Sequence, residues 1–199
     1  MQLEELITDI ANALIEIDAS GVAYSSFQPG VGPYGEPQLL KLIKQRLNFI
    51  AKYEGKVETR RTPDLLIPTK WAIEFKIARP FGDNGNEAEN WSVNLLHPYQ
   101  GNTSTIGDCF KLINLICQER KAVTVIGYEH NPPKIDLTSL IESFEAVAKY
   151  VCNLKLSKRI EIKRSGLVHP VHQSFRIFSW EVLSEKVSPF GKGGSRGIF

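Results

Sequence analysis

The amino-acid sequence predicts an α/β protein, with a mixed central sheet flanked by helices on both faces. Some segments repeat apolar residues at the spacing of a helix, whereas others alternate apolar and polar residues as strands do. The two kinds of segment are interleaved along the chain, which is typical of a sheet that is covered on both faces. The length of 199 residues fits a single domain.

The first half of the chain predicts two helices separated by a loop. Residues 3–17 carry apolar side chains at helical spacing and predict an amphipathic helix. Residues 21–35 are rich in Gly, Pro and Ser and predict a loop. A second helix is predicted from Glu36 to Ile50, because Pro37 suits the first helical turn.

The period then changes from helix to strand. Residues 56–61 alternate, residues 65–67 form a short apolar run, and residues 71–78 resume a period of two. Only Pro-Thr-Lys at 68–70 separates the last two segments. Such a short break predicts an antiparallel hairpin.

The second half begins with an unusually long stretch, residues 79–103, which is rich in Gly, Asn and Pro. Loops longer than about 12–15 residues are uncommon in compact domains and are often functional. A helix is predicted over 106–117 and a buried strand over 122–128.

A further helix and two strands complete the predicted elements. The helix spans residues 140–151, and Ser139 with Glu142 predicts a capping box at its start. Residues 159–163 and 174–182 predict strands.

The composition leaves the function open. The chain has 24 basic and 22 acidic residues, and nucleic-acid binding needs a local basic surface rather than a basic whole. Cys109, Cys117 and Cys152 form no CxxC pair, so we expect buried free thiols rather than a zinc cluster or a disulfide framework. No apolar run reaches about 18 residues, and the N-terminus lacks signal-peptide features. We therefore expect a cytoplasmic protein with no membrane partner.

The hairpin places chemically active side chains together. Glu74 and Lys76 share one face of the strand, with Cα atoms roughly 6–7 Å apart. Ala72 and Ala78 flank them on that face and are small, which leaves space above the sheet. If 68–70 is a three-residue turn, Asp64 lies opposite Glu74, with Cβ atoms about 4.5–5.5 Å apart.

Two carboxylates this close repel each other unless a cation lies between them. Carboxylate oxygens suit Mg²⁺ or Mn²⁺, and such an ion polarises a phosphodiester and acidifies a bound water. Lys76 supplies a charge to offset developing negative charge. Asp64, Glu74 and Lys76 therefore predict a metal-dependent phosphodiesterase centre. The alternative is a solvated hairpin on which Glu74 and Lys76 are ordinary strand charges.

The segments Pro63-Asp64 and Glu74-Phe75-Lys76 resemble the signature of the PD-(D/E)xK nuclease superfamily, which has the restriction endonuclease-like fold. The resemblance implies that Asp64 and Glu74 bind a divalent metal and that Lys76 assists catalysis.

The resemblance also implies a core of helix, three strands, helix and strand at about residues 36–129. In this interpretation residues 1–199 form one nuclease-like domain. The helix at 3–17 and the segment 136–182 are additions to the core, and residues 190–199 are a flexible tail.

Other candidate site residues each have a plain alternative. Glu36 is a candidate third metal ligand, because superfamily members often carry an acid on this helix, or else a helix-terminal acid favoured by the macrodipole. Asp108 and Lys111 either contact the substrate or form a solvated ion pair. Arg79 either clamps a phosphate or is a surface arginine.

Aromatic and basic residues elsewhere carry weaker signals. The long segment holds aromatic side chains that would stack bases or anchor the segment on its own domain, namely Phe81, Trp91, His97 and Tyr99. For His169 and His172 we favour a structural interpretation, because further metal ligands are not identified. A basic groove is predicted from Arg60, Arg61, Lys158, Arg159, Lys163 and Arg164.

The resulting hypothesis is a Mg²⁺- or Mn²⁺-dependent endonuclease that hydrolyses DNA, of restriction or defence type. One alternative is a non-catalytic nucleic-acid-binding or assembly module on the same fold. Another is a structural protein in which the three residues coincide on the surface. The choice between DNA and RNA, and a homodimer, remain open at this stage.

Overall fold

The computed structural model describes residues 1–99, 101 and 103–183. It confirms a mixed α/β architecture built on a six-stranded sheet. The elements in chain order are α1 (Leu3–Ala19), α2 (Glu36–Asn48), β1 (Glu58–Thr59), β2 (Leu65–Ile67), β3 (Trp71–Ala78), α3 (Val93–Leu96), α4 (Thr105–Asn114), β4 (Arg120–Glu129), α5 (Thr138–Ala146), β5 (Ile160–Ser165) and β6 (Ser174–Glu181).

The sheet has the strand order β1-β2-β3-β4-β6-β5. Strands β3 and β4 run parallel, whereas every other neighbouring pair is antiparallel. The parallel pair requires a crossover connection, and α3 and α4 lie within it. This crossover brings α4 onto the same region of the sheet as β3.

Helices cover both faces of the sheet, and β3 contributes to both layers. Ile73 and Phe75 join an apolar cluster with the helices α1 and α2. On the opposite face, Ala72 and Ala78 join a second cluster with α3, α4 and α5. Because successive strand residues point to opposite faces, Glu74 and Lys76 lie on the α4 side.

Several predicted boundaries are corrected. Strand β1 has only two residues instead of 56–61, and α4 ends at Asn114, so Cys117 lies beyond it. The predicted capping box at Ser139 is wrong, because α5 begins at Thr138, where Asp136 accepts bonds from the backbone N–H and the hydroxyl.

The second half of the chain contains a short helix and a π-helical turn that the sequence pattern did not specify. The long segment 79–103 contains the short helix α3, and a π-helical turn, Val147–Val151, continues α5. The cysteines are free, and only Cys109 is fully buried. The predicted flexible tail, 190–199, lies outside the described residues.

None of the helices in the described part of the chain is both long enough and apolar enough to cross a membrane.

Candidate active site

The turn of the β2–β3 hairpin sets the register of the site. Lys70 N–H donates to Ile67 O over 3.0 Å, and Glu119 accepts a bond from Thr69 N–H. Ile67 pairs with Trp71, so the predicted three-residue turn is confirmed. Continuing this register by one residue beyond β2 places Asp64 opposite Glu74, because the strands are antiparallel.

Asp64 and Glu74 are therefore cross-strand neighbours, and the charge of Asp64 acts on the Glu74 carboxyl group. Phe75 N–H donates to Asp64 Oδ2 over 2.8 Å, which fixes the Asp64 side chain against β3. Glu74 is 3% exposed, and its Oε1 atom is buried without a hydrogen-bond partner among the described residues.

Burial is the main reason why both acids hold protons more tightly than usual. Burial, reinforced by the charges of Asp64 and Asp108, raises the pKa of Glu74 to about 9. Burial also raises the pKa of Asp64, although its bond from Phe75 N–H opposes the shift. At neutral pH the pair therefore shares a proton, as two adjacent acids do when no cation separates them.

Lys76 is held between acids from two different helices. Its Nζ atom lies 3.2 Å from Asp108 Oδ2 and 3.7 Å from Glu36 Oε2. Burial raises the pKa of Glu36 to about 7, although the charge of Lys76 opposes this shift. Glu36 is the first residue of α2 and contacts Lys76, and its role as a third metal ligand stays a prediction.

Asp108 forms the predicted ion pair with Lys111, but the Asp108 carboxylate is buried rather than solvated. Its side chain is 1% exposed, and it binds Lys111 through Oδ1 at 2.6 Å and faces Lys76 through Oδ2. Ser104 caps α4 by accepting a bond from Gly107 N–H, which anchors the helix turn that carries Asp108. The lysine partner Lys111 remains 40% exposed.

Arg79 is half-buried and is tied to the fold by its guanidinium. Its Nη2 group donates to Tyr34 O, and its guanidinium lies 5.9 Å from the centre of the Tyr128 ring. Burial lowers the pKa of Arg79. Its Nε atom is buried without a hydrogen-bond partner in the described part of the chain.

The cluster carries more negative than positive groups. Four carboxyl groups and two amines give a formal charge of −2 when all are ionised, and the members are Glu36, Asp64, Glu74, Asp108, Lys76 and Lys111. Carboxylate oxygens are the ligands that Mg²⁺ and Mn²⁺ prefer. The unpaired Glu74 Oε1 atom and this excess of acid fit a divalent cation.

A preformed cage of protein ligands is absent from the described residues, because no three His, Cys, Asp or Glu side chains there are arranged to hold a metal ion by themselves. Mg²⁺ sites commonly use one or two carboxylates and complete the coordination with waters and substrate phosphates. The pair Asp64 and Glu74 fits that pattern.

Two clefts open beside the cluster and share Glu36. One, of about 410 Å³, is also lined by Lys76 and Arg79. The other, of about 370 Å³, is also lined by Asp64 and by a set of basic residues, Lys41, Arg60 and Arg61.

A further cavity, of about 860 Å³, lies elsewhere, beside Trp180, and is lined by Lys158 and Arg159 but by no member of the cluster. The predicted basic groove is therefore corrected, because its residues lie in separate places. Sequence reasoning missed Lys41, since nothing in its local pattern distinguishes it from Lys44, the other lysine of α2.

Comparison of the chain with protein-family models, with curated proteins and with solved structures found no match.

Proposed function

We propose that this protein is a metal-dependent nuclease that hydrolyses phosphodiester bonds of DNA on a restriction endonuclease-like core. The observation that carries the proposal is the placement of Asp64 opposite Glu74 across the hairpin, with Glu74 buried and Lys76 on the same face of the strand. An ordinary hairpin would leave such like charges in solvent, because burying them together without a cation is unfavourable.

Asp64 and Glu74 would hold Mg²⁺ or Mn²⁺, and Glu36 is the candidate for a third carboxyl ligand. When bound, the ion polarises the phosphodiester and lowers the pKa of a bound water. The carboxyl groups must lose their shared proton for this binding, because metal ligands are the deprotonated forms.

Lys76 would contact a phosphate oxygen and offset the negative charge that develops during phosphoryl transfer. Asp108 positions Lys76, because its Oδ2 atom lies 3.2 Å from Nζ and its own side chain is fixed by burial. Lys111 lies across the same carboxylate and supplies a second, more exposed cation for the substrate.

The order of elements supports the proposed core. Helix α2, strands β1 to β3, helix α4 and strand β4 follow the sequence of helix, three strands, helix and strand that the superfamily resemblance implies. The arginines in the cleft beside Asp64 favour a polyanionic substrate, since phosphate contacts supply most of the affinity for nucleic acid. An endonuclease of restriction or defence type remains the proposed class.

The test is incubation of the protein with plasmid and single-stranded DNA in Mg²⁺, Mn²⁺ or EDTA. We expect cleavage with either metal and none in EDTA. Asp64→Asn and Lys76→Ala should each lower the rate by at least about 10²–10³-fold, as expected when a transition-state contact is lost. Activity retained in both variants would contradict the proposal.

Exposed residues nearby provide matched controls. Lys70→Ala alters a lysine of the same hairpin, and Glu54→Gln alters an acid outside the cluster; both residues are exposed. Neither change should alter the rate. Metal binding without cleavage of DNA or RNA would instead support a non-catalytic nucleic-acid-binding module.

A further inference from the structure

The cleft on the Lys76 side has two chemically different walls. One wall carries the cations Lys76 and Arg79 at the end of β3. The other belongs to the segment between β3 and α4, and it presents an indole, an amide and a carboxylate from Trp91, Asn94 and Glu89. A nucleotide has the same division, with an anionic phosphate at one end and a flat base with hydrogen-bonding edges at the other.

Trp91 differs from the other tryptophans in its exposure. Trp71 is 0% exposed and Trp180 is 1% exposed, so both are enclosed in the core. Trp91 is half-buried, because part of its ring packs against the apolar cluster of α4 and α5 and the remainder lines the cleft. Its accessible part therefore lines the same cleft as Lys76.

The wall that carries Trp91 is tied down on both sides. Before Trp91, Ala88 N–H donates to Pro80 O over 2.8 Å, and Asp83 Oδ1 lies 2.6 Å from His169 Nε2. After it, Leu95 of α3 is fully buried. A preorganised wall loses little conformational entropy when a ligand binds.

We propose that this cleft binds an unpaired nucleotide next to the scissile phosphate, with its base stacked on Trp91. Lys76 and Arg79 face the phosphate side, while Asn94 and Glu89 face the edge of the base. The volume of about 410 Å³ lies within the usual range of about 300–1,000 Å³ for small-ligand sites. This inference rests on the proposed nuclease function and narrows its substrate to DNA with an unstacked base.

An unpaired nucleotide is required because a base inside a duplex is stacked on its neighbours and cannot contact an aromatic ring. Stacking on an aromatic side chain tolerates every base, since each has a π-face. Single strands, flaps and frayed ends therefore fit the cleft, whereas an intact duplex must first release a nucleotide at an energetic cost.

The experiment titrates the full-length protein, in EDTA, with a single-stranded deoxyoligonucleotide that carries a fluorescent label. Tryptophan fluorescence reports on Trp91, and the anisotropy of the label measures the affinity of every variant. We expect quenching, because Trp91 is the accessible tryptophan. Trp91→Leu should weaken binding by roughly 5- to 150-fold, the range expected for one stacked base, while Trp91→Phe should retain most of it. Phe49→Leu, which alters an exposed aromatic residue at the far end of α2, should change nothing.

Two further probes test the role of the base. An abasic sugar-phosphate oligomer of the same length should bind without quenching and equally well to the parent and Trp91→Leu proteins. A blunt duplex of the same sequence should bind more weakly than the single strand. Equal base-dependent binding by the parent and Trp91→Leu proteins would overturn the inference, as would quenching by the abasic oligomer.

The failure of this inference is distinguishable from the failure of the nuclease proposal. Metal-dependent cleavage of single-stranded DNA that is unchanged in Trp91→Leu would overturn the stacking site alone. Base-dependent quenching without cleavage in Mg²⁺ or Mn²⁺ would overturn the nuclease proposal and leave the stacking site standing.

Discussion

Among the described residues, the cluster around Arg176 and the candidate active site both hold buried charged groups, and the two are arranged differently. In the first, Arg176 forms a two-point contact with Glu129 at 2.9 and 2.8 Å and a further bond to Asp136 at 2.7 Å. Both Glu129 oxygens are therefore paired, and Asp136 remains 65% exposed. The second cluster is the candidate active site, in which Glu74 Oε1 is buried without a hydrogen-bond partner among the described residues, whereas Asp108 is paired with Lys76 and Lys111.

The pKa shifts of the acids follow this difference. Bonds from Thr138, with a smaller contribution from Arg176, lower the pKa of Asp136 to about 2, so its charge is stabilised. Burial raises the pKa of Glu74 to about 9, so its charge is disfavoured. In the first cluster both oxygens of the buried carboxylate are hydrogen-bonded, whereas in the second cluster a buried carboxyl oxygen is free to bind a ligand. Buried charges are thus more informative about function when they are unpaired.

The largest predicted effect is on the free energy of unfolding, and it comes from the cluster around Arg176. Arg176→Met leaves Glu129 buried without its partner and should lower the free energy of unfolding by about 3–5 kcal/mol. Glu74→Gln replaces a carboxyl group that already holds a proton and should leave that free energy nearly unchanged. Urea unfolding of both variants in EDTA measures the difference.

Arg176→Lys is the companion variant if the Met variant does not fold, because it keeps the charge and loses the two-point geometry. The prediction would be contradicted if Glu74→Gln lowered the free energy of unfolding more than Arg176→Lys does. The cluster around Glu74 would then be the structural one.

A second prediction concerns metal ions. If Mg²⁺ or Mn²⁺ binds the folded protein and not the unfolded chain, it should stabilise the protein by about 2.7 kcal/mol at one hundred times Kd. Thermal unfolding with and without the ion measures this gain. The gain should disappear in Glu74→Gln and persist in Glu54→Gln, and equal stabilisation of both variants would place the metal elsewhere.

The third prediction is a dependence of stability on pH in EDTA. The pKa values of Glu36 and Glu74, about 7 and about 9, lie above their ordinary value of 4.5, so the folded protein binds more protons than the unfolded chain. Stability from these groups is present below pH 4.5 and is lost as the pH rises towards about 9.

The test is to measure the free energy of unfolding of the parent and of Glu74→Gln between pH 4.5 and about 9. This free energy should fall less steeply with pH in the variant. Asp136 acts in the opposite sense, since its lowered pKa gives stability that is lost as the pH falls from 3.8 towards about 2. A parent slope equal to that of Glu74→Gln would show that the Glu74 carboxyl is not strained in the folded protein.

The local sequence pattern was sufficient to predict the hairpin and the placement of its acids. The alternation of Trp71–Ala78 determined the bounds of β3 and the shared face of Glu74 and Lys76, because strand periodicity is a property of consecutive residues. The same holds for the pairing of Ile67 with Trp71, which follows from the length of the turn. The α/β class and most helices were likewise visible in the spacing of apolar residues.

Only the tertiary structure decided which distant residues join the hairpin. Asp108 and Lys111 appeared as a solvated pair, because helical spacing describes a neighbour on the same helix and not a contact with β3. The burial of Arg79 and the exposure of Trp91 also depend on how the segment 79–103 folds back. The sequence thus determined the acids of the hairpin and their lysine. Packing across the crossover decided which residues surround them, because tertiary contacts link residues that are far apart in the chain.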